Sequence, residues 1–92
     1  MSFVVPPPPH PASVEMYRHL NGHEYVLAAS AGCVNLRDAH RLLRSAPASV
    51  VVGLVRFDDR DWLWMRRNGA WRLQIKPRFE AVPYHAKLTL LR

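Results

Sequence analysis

The chain has 92 residues, 49% of them hydrophobic and 22% charged, with a net charge of +6. A chain of that length supports one domain, that composition excludes wholesale disorder, and no apolar run approaches the roughly 18 residues of a membrane helix. Cys33 is the single cysteine, so an internal disulfide and a cysteine-held zinc site are both excluded.

Residues 1–13 read as a proline-rich tail. Pro6, Pro7, Pro8, Pro9 and Pro11 lack backbone donors and fix φ, which suits a stiff polyproline II arm rather than a helix or central strand. PxxP spacing occurs there, but no Arg or Lys accompanies it to orient a ligand in an SH3-type groove. The rest of the chain, 14–92, is expected to form a single α+β domain.

Residues 14–29 read as a hairpin turning at Asn21-Gly22, a type I′ signal. A two-residue turn there sets Leu20 opposite His23, Arg18 opposite Tyr25 and Met16 opposite Leu27. One face then carries Val14, Met16, Leu20, Tyr25, Leu27 and Ala29, the expected core side, with Arg18 as its exception. Residues 35–46 form the one helix. Asn35 is the expected N-cap, Asp38 sits at N3 and Pro47 stops the run. Leu36, Ala39, Leu42, Leu43 and Ala46 share one side, and Arg37, Arg41 and Arg44 the other.

Residues 49–57 are a nearly continuous β-branched run, which suits a central strand. A turn at 58–60 leads into a second hairpin, 61–76, around Asn68-Gly69. Its register sets Asp61 opposite Lys76, a favourable cross-strand pair. Trp62, Trp64, Trp71, Leu73 and Ile75 share one face with Arg66, and the three tryptophans are expected to be core. Leu63, Met65, Arg67, Ala70, Arg72, Gln74 and Lys76 share the other face, expected to be exposed. Residues 77–83 read as irregular, and 84–91 as a last strand. The expected order is ββαββββ, mainly an antiparallel sheet of two Asn-Gly hairpins plus further strands.

Few chemistries are written into the residues. His19 and His23 would point to opposite faces of their hairpin, His40 and His85 stand alone, and no set of three metal ligands is visible. Cys33 precedes the helix but has no base at fixed local spacing, so it reads as a buried structural thiol. No phosphate-binding glycine loop or nucleophile elbow exists, which leans against an enzyme, and no cofactor is implied. The absence of a charged n-region and of disulfides points to the cytoplasm.

Charge layout is the most specific signal. Residues 1–61 balance six cations against six acids, whereas 62–92 carry seven cations against Glu80 alone. Such asymmetry points to a polyanionic partner, DNA or RNA, or to an acidic protein surface. The expected function is a small basic binding module for nucleic acid. Its contacts would be Arg67, Arg72, Gln74 and Lys76 on the second hairpin, extended by Arg78 and Lys87, with the helix stripe Arg37, Arg41 and Arg44 as a further phosphate-facing surface. The alternatives are an adaptor or inhibitor that binds a larger assembly, and a small toxin-type ribonuclease.

Overall fold

A computed structural model describes residues 12–82 and 86–91. Seven strands and one helix follow one another as β1 (Ala12–Asn21), β2 (Glu24–Cys33), α1 (Leu36–Ser45), β3 (Val50–Phe57), β4 (Arg60–Arg67), β5 (Ala70–Leu73), β6 (Arg78–Val82) and β7 (Lys87–Leu91). All strands join one antiparallel sheet in the order β5-β4-β3-β1-β2-β7-β6. The protein is therefore a small single domain, mostly antiparallel sheet with one helix.

The outer strands β5 and β6 are joined directly by residues 74–77. Five Cα steps reach at most about 18 Å, whereas six strand spacings in a flat sheet span about 29 Å. The sheet must therefore curl until its two edges approach. On the concave side Leu63 of β4 and Leu88 of β7 meet in one buried cluster with Tyr17, Tyr25, Val52 and Leu54. The convex side carries α1. There Ala12, Val14, Cys33, Ala39, Leu43 and Val55 form a second cluster, and Trp62, Trp64 and Trp71 pack half-buried against it. Cys33 is buried, and burial raises its thiol pKa, with the Asp38 charge adding to the shift.

Local chemistry explains the helix. The Asn35 side chain accepts from the Asp38 N–H at 2.9 Å, and the Asp38 carboxylate accepts from the Val34 N–H at 3.2 Å. Leu43 lies over Gly53 of β3, where a Cβ would overlap its Cδ atoms, so glycine is what lets α1 approach the sheet.

Several expectations fail in detail. The first turn is Gly22-His23, with Asn21 paired to Glu24, and only Gly22 takes positive φ there. Leu20 is then skipped in the ladder, an irregularity, so that Tyr25 faces His19 rather than Arg18, and Tyr17 rather than Met16 faces Leu27. Ala28 is an extra residue between the Tyr17–Leu27 and Met16–Ala29 pairs, a bulge that reverses which face β2 shows. Leu27 and Tyr25 thereby line the concave core, while Ala29, Ala31 and Cys33 turn toward α1. Residues 78–82, expected to be irregular, form β6, an edge strand that tolerates a proline at each flank. The sheet therefore has seven strands rather than six. Ala12 and Ser13 open β1 instead of belonging to the tail; residues 1–11 and 83–85 lie outside the described residues.

Candidate functional site

The second hairpin carries the residues that the charge layout singles out. Asn68 (φ 52°) and Gly69 (φ 77°) turn the chain, and Arg67 pairs with Ala70, Arg66 with Trp71, Met65 with Arg72 and Trp64 with Leu73. Arg67 and Arg72 thus stand on one face at the tip, both exposed, and neither makes an ion pair among the described residues. That face is not wet throughout: Leu63 on the same side is fully buried and Met65 packs on the concave cluster. Burial ends where the hairpin tip extends past the curl of the sheet.

The strip does not continue in register to Lys76. β5 stops at Leu73, Lys76 lies in the link to β6 with φ 50°, and Asp61 faces Arg56 of β3, their side chains 3.1 Å apart. The Asp61–Lys76 pair does not form, because residues 74–77 peel away from β4 to reach the opposite sheet edge. Gln74 is half-buried, with its backbone N–H bonded to the Leu63 carbonyl at 2.8 Å. Lys76 and Arg78 are both exposed, on the link and on the first residue of β6. Lys87 is half-buried and bonded to Glu24 at 3.0 Å across the β2–β7 pair, so its charge is already answered.

Arg37, Arg41 and Arg44 are exposed on the outer side of α1, apart from the hairpin face. Arg41 is held by Asp38, whose carboxyl pKa is lowered first by that hydrogen bond and then by the Val34 N–H. The structure accordingly brings Arg67 and Arg72 together, extends them along the chain to Lys76 and Arg78, and leaves the helix stripe as a separate convex-side set.

Arg66 has a role that its placement on the tryptophan face does not reveal. Its Nη1 donates to the Pro47 carbonyl at 2.8 Å, and Nη2 to those of Leu43 (3.0 Å) and Ala46 (3.2 Å). The Trp71 indole donates to the same Leu43 carbonyl at 2.9 Å, and the guanidinium lies 4.7 Å from the Trp71 ring centroid. The Leu43 and Pro47 carbonyls also accept from the Ala46 and Val50 N–H groups, so the cation adds to those bonds while it answers the Ala46 carbonyl and the negative end of the helix dipole. The hairpin is thereby fastened to α1 while Arg67, one residue on, faces the opposite way.

Among the described residues no group of three His, Cys, Asp or Glu side chains converges on a point, and no helix is long and apolar enough to cross a membrane. No family model matches the chain, and no curated protein or solved structure matches it.

Proposed function

We propose that this protein is a small non-enzymatic module that binds nucleic acid through the tip of the β4–β5 hairpin, with Arg67 and Arg72 as the principal phosphate contacts. The observation that carries the reading is that both guanidinium groups are exposed and, among the described residues, without an ion pair, in a stretch, 62–79, that contains no acid. Two forked donors on neighbouring positions of one sheet face suit phosphate oxygens, which accept bidentate bonds. Lys76 and Arg78 continue the positive surface along the link to β6. A cytoplasmic setting is part of the same proposal.

The test is oligonucleotide binding by fluorescence anisotropy at several salt concentrations, comparing the protein with Arg67→Glu/Arg72→Glu. Binding should weaken with salt, and the double variant should lose about 1.4–1.8 units of the log–log salt slope with its melting temperature unchanged. Affinity untouched by the double variant would shift the reading to a protein-binding adaptor.

A further inference from the structure

Where β5 leaves β4, the sheet opens. The last pair is Trp64–Leu73, followed by the single Gln74–Leu63 backbone bond, and beyond it a cleft of about 340 Å³ separates residues 60–62 from residues 73–77. That volume falls within the span typical of small-ligand sites. The wall is formed by Trp62, Leu73, Ile75 and Pro77.

Four features mark the cleft as more than a packing gap. Ile75 is 87% exposed, so its side chain contributes almost nothing to the core while presenting apolar surface to whatever enters. Lys76 takes φ +50° directly before Pro77, although L-residues disfavour that region and residues preceding proline favour extended backbone. This strained conformation orients the Ile75-Lys76 pair. The Trp62 indole N–H is buried without an acceptor among the described residues. Finally, Arg60 and Lys76 line the cleft, exposed and without ion pairs there, while its one carboxylate, Asp61, is occupied by Arg56.

An apolar slot flanked by two cations that form no ion pair among the described residues suits a flat, weakly polar ring that carries negative charge beside it. We infer that the cleft holds one unpaired nucleotide of a single strand, its base against Trp62 and Ile75 and its flanking phosphates at Arg60 and Lys76. This inference rests on the nucleic-acid reading above and adds the form of the ligand. A strand is indicated over a free nucleotide because the edge of β5 leads from Arg72 to the cleft: Arg72 and Lys76 are four residues apart, at most about 13 Å along an extended chain. A polymer following that edge meets both cations. A closed duplex keeps its bases stacked and cannot place one in the slot.

The experiment titrates the full chain, Ile75→Ser, Arg60→Gln and Arg67→Glu/Arg72→Glu with three probes: a short mixed-sequence RNA single strand, its perfect duplex, and AMP. Ile75→Ser should weaken the single strand about tenfold, with an unchanged salt slope and unchanged duplex affinity. Arg60→Gln should lower the single-strand slope by about one. Because Ile75 is exposed, an unaltered melting temperature should accompany the loss. Single-strand binding unaffected by Ile75→Ser overturns the cleft assignment, and if the Arg67/Arg72 variant still loses binding the phosphate reading stands alone. AMP binding as tightly as the strand overturns the polymer assignment. Wild-type protein that binds neither oligonucleotide overturns both readings.

Discussion

Arg66 and Arg67 are chemical twins with opposite tasks. Alternation along β4 turns Arg66 toward α1, where it bonds three carbonyls, and Arg67 toward solvent, where it bonds none among the described residues. Replacing Arg66 by Lys keeps the charge but loses the planar fork, leaving at least one helix-end carbonyl unanswered. Thermal or urea unfolding should show a loss of about 1–3 kcal/mol. The same change at Arg67 should leave stability within about 0.5 kcal/mol, as expected for an exposed position. Tyr17 supplies a pH test at the same scale. Burial, and then the neighbouring Glu15 carboxylate, push its phenol pKa from 10.0 up to about 12. The raised folded-state value means that the neutral phenol is favoured in the fold. Its contribution is therefore complete below pH 10 and disappears as the pH rises through about 12. Alkaline unfolding followed by circular dichroism should fall in that window, and Tyr17→Phe should be less sensitive to base across it.

Among the elements, α1 was legible because its signals are local: a capping Asn35, an acid at N3, apolar positions at helical spacing and a proline stop. The mainly antiparallel sheet followed from alternating strands for the same reason. The details that escaped depend on residues far away. Nothing near Ala28 announces a bulge, since alanine suits either face, yet that residue reverses β2 and decides that Tyr25 joins the concave core. β6 was hidden because two prolines bracket it, and only its position at a sheet edge makes them harmless. The hairpin face reads as wet from sequence because its cations alternate with apolar residues. The curl of the sheet, which no local pattern encodes, buries Leu63 and leaves Arg67 and Arg72 outside. The exposed charge of the candidate site was thus visible in sequence, while the cleft beside it required the departure of β5 from β4. Contact between α1 and β3 gives a direct test of element packing. Gly53→Ala should destabilise the protein by roughly 1–3 kcal/mol, because Leu43 is fully buried and has little room to retreat. Pairing that change with Leu43→Ala should recover part of the loss in a double-mutant cycle.

At the scale of the whole molecule, two cores share one sheet. The convex core uses α1 as its cover, whereas the concave core has only the sheet itself, closed when β4 and β7 approach. Leu88 is completely buried in that closure. Leu88→Ala should cost about 2–5 kcal/mol in chemical denaturation, and the loss should be accompanied by dye binding to the opened concave side. The candidate nucleic-acid surface lies at the rim of the same closure, so a loosened concave core should also weaken oligonucleotide binding without altering any charge.

The pairing of Glu24 with Thr89 and of Tyr25 with Leu88 has a consequence in time as well as in space. Residues from the first third of the chain wait for partners more than sixty positions downstream, and such distant contacts slow folding because loop closure must precede the contacts that reward it. During synthesis β1 to β4 and α1 can assemble as they emerge, but Tyr25 and Leu27 stay open to water until residue 88 has left the ribosome. A nascent chain stalled short of β7 should therefore expose half of the protein's apolar interior, and protease sensitivity of stalled chains should drop abruptly once that strand is released.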